Sequence, residues 1–122
     1  MIEKEFGGYL PLEIAKDGNE YYQSNKSFNV ISLNSGRSSF YFAAKRTKMN
    51  KIYLPIFNCE RISDPFKKLG IEIEYYKLDD SLLPKDVNPN QEEFILWTNY
   101  YGNATTEQIN LIKNKYKNLI ID

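Results

Sequence analysis

Phe94-Ile95-Leu96-Trp97, Thr105-Thr106-Glu107-Gln108-Ile109 and Leu119-Ile120-Ile121-Asp122 are the stretches on which the fold turns. The first is a short, continuous apolar run, which suits a strand buried on both faces. The second opens on Thr105 with Gln108 three residues later, a capping box at a helix start, and Ile109, Ile112 and Tyr116 then share one helical face. The third is a second buried run that stops at an acid. Strand, helix and strand in that order make a β-α-β unit, whose strands lie parallel.

The pattern continues upstream. Ile52-Tyr53-Leu54-Pro55 reads as a strand ended by its proline, and Ile71 to Tyr76 alternates as a half-buried strand. Val30-Ile31-Ser32-Leu33 reads as a further short strand, ended by Asn34-Ser35-Gly36. Between these lie two helical stretches. Arg37 to about Met49 places Phe40, Ala43, Ala44 and Thr47 on one face. Cys59 to Leu69 is broken at Asp64-Pro65, where Asp64 is pushed from α geometry or caps a new turn, and Gly70 closes it. Leu78 to Glu92 reads as a loop too short to divide domains. The expected class is α/β: a three-layer, mainly parallel sheet with flanking helices.

Composition removes several chemistries. No histidine is present, so His-based triads, His general bases and His metal ligands are excluded. The single cysteine, Cys59, allows neither an intrachain disulfide nor a thiolate zinc site within one chain, and no metal ligands are assigned. Sixteen basic residues balance sixteen acidic ones, which points to neither nucleic acid nor an anionic membrane as partner. No apolar run approaches the roughly 18 residues of a membrane span. A cytoplasmic protein is expected.

In open α/β sheets ligands bind outside the carboxyl ends of the strands. Four such places carry polar or small residues: Ser35-Gly36-Arg37-Ser38-Ser39, Phe57-Asn58-Cys59-Glu60, Asn99-Tyr100-Tyr101-Gly102 and Asp122. Each has a plainer reading. The serines suit helix capping, Cys59 suits a small buried hydrophobe, Gly102 suits a turn, and Asp122 suits an ordinary loop acid. Their convergence on one edge carries more weight than any member. Neither the Walker loop nor the Gly-x-Gly-x-x-Gly dinucleotide fingerprint is present, which ranks a nucleotide-binding Rossmann-type domain lower.

In this order and spacing, Leu33-Asn34-Ser35-Gly36-Arg37-Ser38-Ser39-Phe40, Ile52 to Cys59, Asn99-Tyr100-Tyr101-Gly102 and Leu119-Ile120-Ile121-Asp122 resemble the first part of a DegT/StrS-type sugar aminotransferase. That family belongs to the fold-type I enzymes of the aspartate aminotransferase superfamily, which use pyridoxal 5′-phosphate (PLP). Gly7-Gly8-Tyr9-Leu10-Pro11-Leu12-Glu13 resembles the family's amino-terminal segment. The resemblance implies that Gly36, Arg37 and Ser38 bind the cofactor phosphate, with Arg37 in place of the usual threonine. It places Cys59 where many relatives carry a ring-stacking aromatic, Tyr100 on the pocket wall, and Asp122 against the pyridine nitrogen. A carboxylate there keeps the nitrogen protonated and the ring an electron sink.

The same resemblance implies residues 1–29 as an amino-terminal segment and 30–122 as the first part of an incomplete PLP-binding large domain. The Schiff-base lysine and the small domain would lie beyond Asp122, so no catalytic residue is matched here and PLP binding is expected to be weak or absent. Lys45, Lys48, Lys67 and Lys113 lie on helix faces expected to be solvated. The full-length parent would be a homodimer moving an amino group, from a donor such as glutamate, to a nucleotide-linked keto-sugar for surface polysaccharide synthesis. The competing expectation is a non-catalytic half-domain that binds a phosphate ligand or a partner chain.

Overall fold

The computed structural model describes residues 30–122. Both the Gly7–Glu13 match and the segment 1–29 fall outside them. The elements run α1 (Gly36–Thr47), β1 (Lys51–Pro55), α2 (Asp64–Lys68), β2 (Glu72–Leu78), β3 (Pro84–Lys85), β4 (Phe94–Trp97), α3 (Thr106–Lys115) and β5 (Leu119–Ile121). All of them belong to one unit, Leu33–Asp122. The five strands take the order β3-β2-β1-β4-β5. β1, β2, β4 and β5 are mutually parallel, and the two-residue β3 pairs antiparallel to β2. No helix among the described residues is long and apolar enough to cross a membrane.

Alternation along the strands divides the core into two sides. Ile52, Leu54 and Leu96 pack with Phe40, Ala44 and Phe66 of α1 and α2. Tyr53, Ile95 and Trp97 pack on the opposite side with Tyr76, Val87, Ile112 and Tyr116. Helices therefore cover both faces, which is why the central strands read as continuous apolar runs instead of alternating ones.

The local signals act as the chain predicts. Thr105 Oγ1 accepts from Gln108 N at 3.2 Å, and Gln108 Oε1 accepts from Thr105 N at 2.9 Å, completing the capping box. Thr105→Ala is expected to cost about 1 kcal/mol in chemical denaturation, with Thr105→Ser near wild type. A 3₁₀ turn over Glu60–Ser63 leads into α2, with Pro65 in its first turn, and Gly70 follows at φ +69.

Val30–Leu33 is not a strand. Its residues are exposed, irregular and outside the sheet. A four-residue apolar run carries too little periodicity to define a strand, which exists only where a ladder partner meets it. The helix expected to reach Met49 ends at Thr47, because Lys48 turns left-handed at φ 55 and stops it. The loop expected over Leu78–Glu92 contains the short β3.

At the amino ends of β1, β2 and β4 lies a charged cluster. Lys51 Nζ meets Glu72 at 3.1 Å, Glu74 at 2.8 Å and Glu93 at 3.7 Å, and stands 5.0 Å from the Tyr53 ring centroid. Hydrogen bonds to Glu74, then Glu72, hold the Lys51 ammonium well above the usual lysine range. The Asn90 N–H and the Lys51 charge lower the Glu93 carboxyl against the opposing effect of burial. A depressed carboxyl stabilises the fold above its unfolded value, and that stability disappears as pH falls through the folded value. The raised lysine contributes below its unfolded value and loses that contribution only as pH rises through the folded one. Glu93→Gln is accordingly expected to flatten the loss of stability on acidification below 4.5, read from urea midpoints at two pH values. An acid limb as steep as wild type would contradict it.

Candidate functional site

β1, β4 and β5 are neighbours, so their carboxyl ends open on one edge. The chain leaves β1 through Ile56-Phe57-Asn58-Cys59, and Ile56 N still donates to Tyr76 O at 2.9 Å. Asn58 Nδ2 donates to Thr98 Oγ1 at 2.7 Å, tying this exit to the exit of β4. The same side chain accepts from Cys59 N at 2.7 Å and so orients the cysteine backbone.

The β4 exit is held equally firmly. Asn99 Oδ1 accepts from Ala104 N at 3.0 Å, closing the loop between β4 and α3. Asp122 N donates to Trp97 O at 3.0 Å, and Asn99 N donates to Asp122 O at 2.8 Å. Those two backbone bonds extend the β4–β5 ladder by one residue and fix where the Asp122 carboxylate begins.

Tyr100 joins the exits. Its hydroxyl donates to the Phe57 carbonyl, and its ring lies 5.5 Å from the Phe57 ring at a 35° tilt. Burial raises the Tyr100 phenol above its ordinary range; a hydrogen bond with Thr98 opposes this and the Asp122 charge adds to it. Tyr100 thus stays a protonated donor at neutral pH, close enough to Asp122 to feel its charge.

An open cleft of about 400 Å³ lies between the exits, lined by Ile56, Phe57, Cys59, Thr98 and Tyr101 together with Asn58 and Tyr100. That volume suits a ligand of one substituted ring. Its walls are apolar and aromatic, with Phe57 60% and Tyr101 87% exposed. Asp122 lies beside this cleft without lining it.

The amino end of α1 is a separate place. Ser35 caps the helix, its Oγ accepting from Ser38 N at 3.2 Å, and Ser38 Oγ donates to Asn34 Oδ1 at 2.7 Å. A Cβ at Gly36 would meet nothing within 4 Å, so no packing within the fold requires glycine there. The first helical turn leaves the Gly36 and Arg37 amides without intrahelical acceptors. Ser35, Arg37, Ser38, Tyr41, Asp64 and Lys68 border an open cleft of about 430 Å³, which shares no lining residue with the first.

Among the six residues assigned from the sequence, the structure therefore gathers Cys59, Tyr100 and Asp122 at one edge. Gly36, Arg37 and Ser38 stand at the α1 amino end, which follows no strand. Asn58, Thr98, Phe57 and Tyr101 complete the first group and received no individual role from the sequence. Their positions just past β1 and β4 were the available signal; the Asn58–Thr98 pairing, 40 residues apart, was not.

The residues fit the ring end of a pyridoxal group in kind: a carboxylate at a strand end and a largely apolar, aromatic wall, with the Tyr100 hydroxyl already given to the Phe57 carbonyl. At the α1 end, the space at Gly36 and the charges of Arg37 and Lys68 fit a phosphate, although Ser35 already satisfies one amide.

No protein-family model matches the chain, and no curated protein matches it. A similar solved structure is the crystal structure of a putative aminotransferase from Burkholderia pseudomallei K96243. Its TM-score is 0.52 at 14% sequence identity, over 70% of this chain and 29% of that one. The chain thus spans less than a third of that protein's length. At this identity the likeness is one of fold: a mainly parallel α/β sheet with flanking helices, matching part of an aminotransferase fold.

Proposed function

We propose that residues 30–122 form the first part of the PLP-binding large domain of an aminotransferase. The observation that carries this reading is the meeting of Asp122, Tyr100 and Asn58 at the carboxyl edge of a sheet similar to part of an aminotransferase fold. PLP, when bound, supplies the electron sink for transamination. Asp122 holds a proton on the pyridine nitrogen, and Tyr100, its hydroxyl donated to the Phe57 carbonyl, fixes the wall between the β1 and β4 exits. Cys59 borders the ring, while the amides of Gly36 and Arg37 hold the phosphate, which the Ser38 hydroxyl joins by giving up its bond to Asn34. Lys45, Lys48, Lys67 and Lys113 are exposed and lack the desolvation that activates a lysine. Among the described residues no lysine lines the strand-end cleft, so this reading assigns the anchoring lysine to none of them.

The finer reading rests on the DegT/StrS resemblance: a cytoplasmic homodimer transferring an amino group from a donor such as glutamate to a nucleotide-linked keto-sugar. One observation favours the alternative of a non-catalytic module binding phosphate or a partner chain. The α1 amino end and the strand-end cluster border different clefts, and the helix end is already capped.

Pyridoxine 5′-phosphate has the ring and phosphate but no aldehyde to react with surface lysines. Calorimetric titration of the full chain is expected to show weak, saturable binding that Asp122→Asn weakens further. No binding, or equal binding by both proteins, overturns the cofactor reading. PLP with borohydride is expected to leave no adduct on any one unique lysine; such an adduct would place the anchor within these residues.

A further inference from the structure

The two exits that frame the strand-end cleft invert the usual order of burial. Ile56, Phe57 and Tyr101 are exposed, whereas Asn58, Thr98 and Tyr100 are half-buried. Apolar side chains ordinarily take the buried places and polar ones the surface. Polar groups drawn inward need hydrogen-bond partners, and all three have them. Asn58 Nδ2 meets Thr98 Oγ1 at 2.7 Å, Thr98 bonds Tyr100, and the Tyr100 hydroxyl meets the Phe57 carbonyl. Phe57 precedes Asn58 in the chain, so the path closes into a ring across the two exits.

The protons in this ring run only one way. The Cys59 N–H lies 2.7 Å from Asn58 Oδ1, so the carboxamide oxygen faces Cys59 and the NH₂ faces Thr98. An NH₂ only donates, so Thr98 Oγ1 accepts from it. A carbonyl only accepts, so the Tyr100 hydroxyl gives its proton to Phe57. The Thr98 proton is then left for the Tyr100 oxygen. Each bond in such a chain polarises the next. Tyr100 is itself held by the turn beyond β4, where Gly102 N donates to Asn99 O at 3.0 Å and Asn103 N to Tyr100 O at 3.2 Å. Asn99 N donates in turn to Asp122 O, so the ring, the turn and the acid form one connected frame.

We propose that Asn58 is a positioning residue, which acts through this hydrogen-bonded ring to set the spacing of the β1 and β4 exits around a bound ligand. The inference rests on the reading that the cleft takes the pyridine end of PLP. Both ends of the Asn58 carboxamide are engaged within the fold. Its part is to hold the Cys59 wall in a fixed relation to the β4 exit and so to Asp122.

The test uses the full chain, pyridoxine 5′-phosphate calorimetry and thermal melts of Asn58→Ala, Thr98→Val, their double variant, Thr98→Ser and Asp122→Asn. Affinities are compared at a temperature where the melts show the variants folded. Asn58→Ala and Thr98→Val are each expected to weaken binding about tenfold, the effect of one lost orienting hydrogen bond. The double variant is expected to bind no worse than either single one, because members of one network couple. Thr98→Ser keeps the hydroxyl and is expected to bind as wild type. A residue that only supports the fold would lower the melting temperature without this pattern in affinity. If Asn58→Ala weakens binding and Thr98→Val does not, Asn58 meets the ligand directly and the inference fails. It fails also if the two losses add, or if Thr98→Ser binds as weakly as Thr98→Val. If Asn58→Ala binds as wild type while Asp122→Asn binds more weakly, the inference fails and the cofactor reading stands. If Asn58→Ala or Thr98→Val is unfolded at every temperature, the ring is structural and the inference fails. If wild type does not bind, or Asp122→Asn binds equally, both fail.

Discussion

Trp97→Ala is expected to lower the stability of the described unit by about 4 kcal/mol, a large share of the roughly 5–15 kcal/mol of an ordinary domain. Trp97 is 2% exposed on the interior strand β4 and packs with Tyr53, Tyr76, Ile95, Ile112 and Tyr116. Truncation opens a cavity the size of an indole on the α3 side of the sheet. It also removes the bond from Nε1 to Leu82 O at 2.9 Å, which tethers the loop after β2. Trp97→Phe separates the two effects: it keeps most of the volume, loses the hydrogen bond, and is expected to cost about 1–3 kcal/mol. Urea denaturation followed by far-ultraviolet circular dichroism reads both variants without relying on indole fluorescence. A loss below about 2 kcal/mol for alanine would mean that the α3 layer collapses around the site, so that the cavity term is small.

Asp122→Asn is expected to weaken pyridoxine 5′-phosphate binding at least about tenfold, because a charge-assisted hydrogen bond contributes about 1.5–3 kcal/mol. Asparagine matches aspartate in shape. The bonds that fix position 122, from Asp122 N to Trp97 O and from Asn99 N to Asp122 O, are backbone bonds and survive the change. The melting temperature is therefore expected to stay at the wild-type value. Affinity for inorganic phosphate is likewise expected to hold, since the phosphate is assigned to the α1 end. Loss of both affinities together would place the effect outside the ring and count against the assigned role. Asp122→Glu tests position as well as charge, and recovery of less than the wild-type affinity is expected from its longer side chain.

Both expectations draw on features that differed in how readable they were. Burial of Trp97 followed from an unbroken run, Phe94 to Trp97, between polar stretches. Its tether to Leu82 did not, because Leu82 lies in a segment whose apolar residues show no period. The place of Asp122 at a strand end was legible from Leu119-Ile120-Ile121. That it follows a strand hydrogen-bonded to β4, which sets it near Tyr100, required the strand order. The reading of Val30–Leu33 went the other way: an apolar run was present, but no ladder took it up.

By itself, then, the chain determined the α/β class, the helix caps and breaks, the parallel strands and the residues at their ends. Caps, proline breaks and hydrophobic periods act over a few residues, so each is written where it operates. Tertiary structure alone decided which strand ends meet and that the α1 amino end borders a different cleft. It also decided that Lys51 gathers glutamates from β2 and from the approach to β4, and that Tyr101, in its left-handed turn, is exposed. These depend on strand order and on contacts such as Asn58 with Thr98, 40 residues apart. Sheet pairing brings such residues together only after the whole unit has closed, and no local pattern encodes that distance.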